Sequence, residues 1–199
     1  SEAWEVGLSC GGEISVWLIT FSDGFFEKSL LFESINAVKK REKIVLKFNL
    51  ETGQVQKTEA DLEASCLKGH EFVLVKSPQP NLIIIGAVHI SQHLAQMAMQ
   101  CDFDVTIIDP REIFANQARF PSVKLINAWP DEVLKNMVLD INTSLVTLTH
   151  DPKIDDPALV LSLSWPLFYF ACLGSKKTHE ARILRLLKAG VSQTNLNRI

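Results

Sequence analysis

The residues best placed to do chemistry follow the apolar segments of the C-terminal part of the chain. The apolar run from Leu82 to Ile85 ends at Gly86, a helical pattern follows, and a second apolar run ends at Asp109. Glycine frees the turn that leaves a buried strand, and the helix that begins there offers unpaired N–H groups to an anion. A carboxylate about 20 residues further on can accept hydrogen bonds from a ribose hydroxyl. This order of elements is typical of the first half of a nucleotide-binding βαβ unit.

The glycine fingerprint of that unit is altered here. The pattern G-x-G-x-x-G would place glycines at positions 86, 88 and 91, and the chain has Gly86, Val88 and Ser91. The second glycine normally lets a pyrophosphate approach the backbone, so the sequence predicts the fold more strongly than the dinucleotide. Asp109 also has two interpretations, because a carboxylate before Pro110 can either contact a ribose or cap a turn.

Further candidate residues follow the later apolar segments. In an open parallel sheet the ligand lies at the carboxyl ends of the strands, so we expect these loops to share one site. A helix that begins after Ser175 could hold a phosphate with its N–H groups and lysines. Each residue also has a purely structural interpretation, as a loop histidine, a turn aspartate or a solvated lysine. The candidates are Gly86, Ala87, Val88, His89, Asp109, Arg111, His150, Asp151, Gly174, Ser175, Lys176, Lys177 and Thr178.

The N-terminal candidate is a cysteine followed by two glycines. Cys10, Gly11 and Gly12 could present a thiol on a flexible loop, although a glycine pair also forms ordinary turns. None of the four cysteines belongs to a C-x-x-C pair, which argues against a zinc or iron–sulfur site. Cys101 and Cys172 lie within apolar patterns and are predicted to be buried thiols.

These residues must be positioned by two different kinds of domain. Residues 1–77 are predicted to form a small α+β domain, and residues 77–80, with two prolines, predict a linker. The N-terminal elements are a strand over 13–21, a helix over 23–41, a hairpin of 44–50 with 54–60, and a strand over 71–76.

Residues 78–199 alternate between strand and helix patterns. The predicted strands are 82–85, 103–108, 123–127, 144–149 and 168–173. The predicted helices are 90–101, a helix that starts at Pro130, a helix that is capped at 155–157 and ends near 164, and 176–189. Alternation with short loops predicts a parallel sheet with right-handed crossovers. The fold class is therefore α/β, a C-terminal Rossmann-like sheet with a smaller N-terminal α+β domain.

Composition narrows the classes of function. The chain has 199 residues and a formal net charge of -3, so no general attraction to nucleic acid or membranes is expected. No apolar run approaches the roughly 20 residues that span a bilayer, and no signal-peptide pattern is present. The scattered cysteines indicate a reducing cytoplasm as the simplest compartment. Residues 1–7 look like a cut into a longer chain. The absence of a G-x-S-x-G, H-E-x-x-H or P-loop motif argues against a conventional hydrolase or kinase.

Taken together, four segments resemble the XdhC/CoxI family, the maturation factors of xanthine and carbon monoxide dehydrogenases. The segments are Leu8 to Gly12; Gly86 to His89 with Asp109 to Arg111, Phe114 to Asn116 and Arg119 to Pro121; Leu148 to Asp151 with Asp155 to Leu159; and Leu173 to His179 with Arg182. The match covers nearly the whole chain.

The resemblance implies a chaperone that binds molybdenum cofactor (molybdopterin) and delivers it to a molybdenum hydroxylase apoenzyme, rather than an enzyme that turns over a substrate. It implies that Cys10 holds the cofactor or its metal, that the Rossmann half binds the pterin or nucleotide part, and that the protein is a homodimer with a cysteine desulfurase as a further partner. Two alternatives stay open: an NAD(P)-dependent oxidoreductase that uses Gly86 and Asp109, and a degenerate Rossmann module that only binds proteins.

Overall fold

The computed structural model describes residues 15–18 and 27–199, which fall into two compact units, 1–77 and 78–199. Cys10, Gly11, Gly12 and most of the strand predicted over 13–21 lie outside the described residues. The described part of that strand, residues 15–18, has no regular secondary structure.

The N-terminal unit packs one helix on an antiparallel sheet. Its elements are α1 (Lys28–Lys39), β1 (Ile44–Asn49), β2 (Val55–Lys57), β3 (Cys66–Lys68) and β4 (Glu71–Lys76), with strand order β2-β1-β4-β3. β1 and β2 form the predicted hairpin, in which Phe48 pairs with Val55 and Gly53 turns the chain at a φ of 77°. Ala37 of α1 packs on Ile44 and Leu46 to form a small core. The sequence missed β3, because three residues carry too little periodicity to predict a strand.

The C-terminal unit is built on a five-stranded parallel sheet. Its strands are β5 (Asn81–Ile85), β6 (Asp104–Ile108), β7 (Lys124–Ile126), β8 (Thr143–Thr147) and β9 (Tyr169–Cys172), in the order β7-β6-β5-β8-β9. The order runs outwards from β5 in both directions, as in a Rossmann half, so the switch point lies between β5 and β8. The predicted α/β class and Rossmann-like sheet are confirmed.

The helices follow the predicted alternation, with a different start for α4 and a short last helix, α6, that the sequence did not predict. They are α2 (His89–Gln100), α3 (Pro130–Leu134), α4 (Pro152–Ser162), α5 (Lys176–Lys188) and α6 (Gln193–Leu196). The predicted cap of α4 at residues 155–157 was wrong: Asp151 caps the helix by accepting from the Lys153 N–H, and Pro152 occupies its first position. Proline fits there because its missing N–H would have had no helical partner. Asp155 is thereby placed inside the first turn of the helix.

Both faces of the parallel sheet are covered, which explains its unbroken apolar strands. On one face Ile83 and Leu145 pack with Leu159 of α4 and Leu186 of α5. Ile84 and Ile107 join a second cluster on the other face, which includes residues of α2. Each fully buried aliphatic side chain contributes about 1.5–3 kcal/mol, so this sheet is a rigid base for the loops at its edge.

Of the two thiols predicted to be buried, only Cys172 is partly enclosed, and there burial raises the pKa of the thiol. Cys101, the residue at which α2 ends, is exposed. Among the described residues, no helix has the length and apolarity to cross a membrane.

Candidate functional site

Gly86 forms the turn at the switch point of the sheet. Its φ of 110° is one that residues with a Cβ rarely adopt. A Cβ added at this position would lie 2.5 Å from Cγ2 of Thr149 and 3.2 Å from the Thr149 nitrogen. The loops that follow β5 and β8 therefore touch at Gly86, and glycine is needed there for both conformation and space.

The two altered fingerprint positions have clear structural roles. Val88 precedes α2 in an extended conformation, with a φ of -82°, so the backbone does not require glycine there. The hydroxyl of Ser91, at the position of the third glycine, is buried and donates to the carbonyl of Gly86 at 2.6 Å. Ser91 thus fixes the start of α2 to the turn, while Val88, at the position of the second glycine, packs against the second core cluster. His89 is exposed, and its Nδ1 lies 3.3 Å from Oε1 of Gln92.

Asp109 is fully buried, and both of its oxygens are occupied by the protein. One oxygen accepts from the Ala87 N–H at 2.8 Å and from Nη2 of Arg111 at 2.7 Å. The other accepts from the backbone N–H and Nε of Arg111, both at 2.9 Å. Burial alone would raise the pKa of this carboxyl, but the hydrogen bonds from Arg111 and Ala87 bring it below its ordinary value. The geometry favours the turn-capping interpretation, since a ribose has no access to this carboxylate.

Arg119 joins the same group of loops from the other side. Its Nη1 donates to the carbonyls of Ala87 at 2.8 Å and Phe114 at 2.6 Å. The Arg111 guanidinium lies over the Phe114 ring, with Cζ 4.6 Å from its centre. These contacts hold the loops after β5 and β6 together, so both arginines already serve as structural links.

The loop after β8 is held by Thr149. Its hydroxyl donates to Oδ1 of Asp155 at 2.7 Å and accepts from the Asp151 N–H at 2.9 Å. His150 is exposed between them at a φ of 62°, which is uncommon for a residue other than glycine. Such conformations cluster at functional sites, where the surrounding bonds enforce them. Asp151 is used as the cap of α4.

The loop after β9 begins α5. Ser175 caps this helix, since its hydroxyl accepts from the Thr178 N–H at 3.2 Å. A Cβ on Gly174 would lie 3.2 Å from Cβ and Cγ2 of Thr178, so the chain passes close to the first turn. Lys176 and Lys177 are exposed in that turn. Two cations beside free helical N–H groups favour an anion.

A cavity of about 280 Å³ lies between the first turns of α4 and α5. The residues that line it are His150, Pro152, Asp155, Asp156, Lys177, Thr178, Ala181, Arg182 and Arg185. Asp156 and Arg185 are joined on its wall by an ion pair, with Nη2 of Arg185 donating to Oδ1 of Asp156 at 3.1 Å. The cavity thus lies at the carboxyl edge of β8 and β9, where this class of sheet binds ligands.

Arg182 and Asp155 are the unusual residues of the cavity. Each of the two residues is only 2% exposed. Nε and Nη1 of Arg182 and Oδ2 of Asp155 have no hydrogen-bond partner within the described part of the chain. Burial raises the pKa of Asp155, against the lowering effects of the Thr149 hydroxyl, the Arg182 charge and the backbone N–H groups of Thr149 and His150. Buried charged atoms normally have partners, so this pair points to a group that binds in the cavity.

The structure brings the predicted site residues into two neighbouring groups. Gly86, Ala87, Asp109 and Arg111 form the loop cluster at β5 and β6, whereas His150, Lys177 and Thr178 line the cavity. Thr149 connects the two, since it packs against Gly86 and binds Asp155. Val88, His89, Asp151, Gly174, Ser175 and Lys176 are not among the residues that line the cavity.

Sequence reasoning did not include Arg182 and Asp155 among its site residues. A signal was present for Arg182, because it lies four residues before Leu186 on the buried stripe of α5. A charged residue at a core position of an amphipathic helix indicates a buried polar contact. Asp155 gave no such signal while it was assigned to the cap of α4.

The predicted metal ligand Cys10 lies outside the described residues, as do Gly11 and Gly12. Within residues 15–18 and 27–199, no group of three or more histidine, cysteine, aspartate or glutamate side chains could hold a metal ion.

The chain is similar to several known proteins. It is 26% identical over 183 residues to the uncharacterized protein YqeB of Escherichia coli, covering 90% of this chain and 33% of the relative. It is 30% identical over 105 residues to a Bacillus subtilis protein described as a probable subunit of xanthine dehydrogenase, covering 52% of this chain and 32% of that protein. The chain therefore spans about a third of the length of the curated relatives it matches.

A solved structure shares the fold. A crystal structure described as a xanthine dehydrogenase from Bacillus halodurans superposes with a TM-score of 0.62 and 22% sequence identity, covering 80% of this chain and 55% of that one. The family model described as the XdhC Rossmann domain matches residues 82–199. Because that match spans more than half of the chain and coincides with the parallel sheet, the protein belongs to the XdhC family.

Proposed function

We propose that the protein binds molybdenum cofactor at the carboxyl edge of its Rossmann sheet and delivers it to a molybdenum hydroxylase of the xanthine dehydrogenase type. Two relatives support the class of recipient, since one is described as a xanthine dehydrogenase and the other as a probable subunit of such an enzyme. In this proposal the chain is a carrier that supports maturation of the dehydrogenase.

The observation that carries the proposal is the cavity between α4 and α5, with its buried, unpartnered Arg182. A guanidinium whose Nε and Nη1 lack partners within the described residues is stabilised when a ligand accepts from them. Lys177 and the start of α5 stand at the same cavity and favour a phosphate. The residues present therefore fit an anionic cofactor that also carries hydrogen-bonding groups. When bound, the cofactor supplies the metal centre of the recipient enzyme, and this chain holds and shields it.

Other parts of the proposal come from the family resemblance. Cys10 would hold the metal end of the cofactor, because a thiolate is a good soft ligand. A homodimer and a cysteine desulfurase partner remain predictions from the sequence. The apoenzyme of the hydroxylase is the partner that delivery requires.

The NAD(P)-dependent oxidoreductase has less support. Val88 replaces the glycine that normally lets a pyrophosphate approach the backbone, and Asp109 is enclosed by Arg111 and Ala87. A dinucleotide would have to displace a buried ion pair to gain its usual ribose contact. No contact in the described residues favours the module that only binds proteins.

The proposal is tested by titrating the purified protein, under anaerobic conditions, with molybdenum cofactor and separately with NAD(H). We expect saturable binding of the cofactor only. Lys177→Ala and Cys10→Ser should each weaken it, whereas Lys188→Ala, which removes an exposed cation at the far end of α5, should not. Binding of NAD(H) that is lost in Asp109→Ala and indifferent to Cys10→Ser would establish the oxidoreductase instead. If neither ligand binds, the result would favour the third alternative, a Rossmann module that only binds proteins.

A further inference from the structure

We infer that Arg182 and Asp155 recognise the edge of a 2-amino-4-oxopyrimidine ring, the ring that pterins and guanine share. Arg182 donates to the ring carbonyl oxygen, and Asp155 accepts from the adjacent ring N–H and amino group. This inference deepens the proposed function, on which it rests, by assigning the pterin end of the cofactor to the cavity between α4 and α5.

The free atoms of the two side chains are held in fixed positions. Nη2 of Arg182 donates to the carbonyl of Leu173 at 3.0 Å, which leaves Nε and Nη1 unused. Oδ1 of Asp155 accepts from the Thr149 hydroxyl at 2.7 Å, which leaves Oδ2 unused. Each side chain therefore has one anchored end and one free end. Anchoring of this kind is how binding sites fix the orientation of a ligand.

The two free ends have opposite hydrogen-bonding character. A guanidinium only donates, and an ionised carboxylate only accepts. They do not satisfy each other, because neither Nε and Nη1 nor Oδ2 has a partner within the described residues. Both residues nevertheless line the same cavity between α4 and α5. A ligand that satisfies both must carry an acceptor and a donor side by side.

This requirement separates classes of ligand. A phosphate offers only acceptors and would face Asp155 with like charge, and an ammonium group offers only donors and would leave Arg182 unsatisfied. A 2-amino-4-oxopyrimidine presents a carbonyl oxygen, a ring N–H and an amino group along one edge. Adenine carries an acceptor and a donor in the reverse order, with its amino donor where guanine has the O6 acceptor, so it satisfies both side chains only when the ring and its substituent are turned over.

The volume, the apolar walls and the other charges of the cavity are compatible with a bound ring. Its volume of about 280 Å³ is near the lower end of ligand pockets, and Pro152 and Ala181 contribute apolar walls. Of the other charged groups that line it, Asp156 and Arg185 are already paired with each other. Lys177 and His150 also line the cavity, and in this arrangement they contact the substituent that extends from the ring.

The test is a set of titrations of the full chain with neopterin, guanosine, inosine and adenosine, followed by fluorescence or calorimetry. We expect neopterin and guanosine to bind about tenfold or more tightly than adenosine, with inosine between them because it lacks the amino group. This series uses the unmodified protein and needs no variant to fold. Equal binding of adenosine, or no binding of any of the four, would overturn the inference.

Variants then identify the residues. Asp155→Asn and Arg182→Met should each weaken neopterin about tenfold or more, since each removes a charge-assisted hydrogen bond. The matched controls Asp104→Asn and Lys188→Met alter exposed charges on β6 and at the far end of α5, and they should change binding less than twofold. Circular dichroism shows whether each variant is folded. If Arg182→Met fails to fold, the inference is tested by neopterin binding to Asp155→Asn and by the titrations of the unmodified protein with the four ligands.

The outcomes distinguish this inference from the proposed function. Neopterin binding more tightly than guanosine supports both. Guanosine binding more tightly keeps the ring recognition and overturns the assignment to molybdenum cofactor. Binding of intact cofactor that neopterin does not compete, and that Asp155→Asn leaves unchanged, overturns the inference and leaves the proposed function standing.

Discussion

The substitution Asp109→Asn tests whether the Asp109 carboxylate stabilises the fold or binds a ligand. Each oxygen of Asp109 accepts two hydrogen bonds, and Arg111 supplies three of the four. Whichever way an asparagine amide is turned, its NH₂ group faces two donors in a site with no exposure. Breaking a buried pair of this kind costs about 3–5 kcal/mol. We therefore expect the free energy of unfolding to fall by about that amount.

The measurement is urea unfolding followed by circular dichroism, with Asp104→Asn as the control. Asp104 is an exposed aspartate on the same strand, so its replacement should cost no more than about 0.5 kcal/mol. The pKa of Asp109 is lowered in the folded protein. The carboxylate therefore contributes fully to the free energy of unfolding above the ordinary aspartate pKa of about 3.9, and this contribution is lost as the pH falls through the lowered pKa. A loss below about 1 kcal/mol in Asp109→Asn, together with lost ligand binding, would refute the structural role.

Two further predictions concern the switch point and the cavity. In urea unfolding, Gly86→Ala should lower the free energy of unfolding by more than Gly69→Ala, because both glycines have a positive φ but only a Cβ at 86 meets other atoms. Gly69→Ala should cost about 1 kcal/mol. Adding Thr149→Ser to Gly86→Ala should recover part of the lost stability, because it removes the methyl group nearest to the new Cβ. Burial raises the pKa of Asp155, so the folded protein binds a proton at this carboxyl more readily than the unfolded chain does. The free energy of unfolding therefore increases as the pH falls through the raised pKa towards the ordinary value of about 3.9. The unfolding free energy of the wild type minus that of Asp155→Asn should therefore increase as the pH is lowered from 7 towards 4, and a difference that is flat or decreasing would contradict the burial of an ionisable Asp155.

The sequence was sufficient for the order of elements and for the main turn. Continuous apolar runs predict buried parallel strands, and the single residue Gly86 predicts where the first strand turns into α2. Both are local properties, so they can be read from a window of neighbouring residues. The unbroken run from Leu82 to Ile85 is a good example, since both faces of its strand proved to be covered.

The contacts that define the site could not be predicted in this way. Asp109 is enclosed by three hydrogen bonds from Arg111, two residues away, together with one from the Ala87 N–H, 22 residues away in the chain. The role of Asp155 changed when α4 proved to begin at Pro152 instead of being capped three residues later. Arg182 could be recognised as a core position, but its two free donor atoms depend on packing between α4 and α5. Such pairings are set by tertiary structure, which local patterns do not encode.

The central claim is that this Rossmann sheet carries a molybdenum cofactor in the cavity at the ends of β8 and β9. The most direct measurement is the equilibrium binding of molybdenum cofactor to the purified protein and to its Arg182→Met and Lys188→Met variants, under anaerobic conditions. The account predicts saturable binding that weakens about tenfold in Arg182→Met and stays unchanged in Lys188→Met. Absence of saturable binding to the unmodified protein, or binding that both folded variants retain in full, would contradict it.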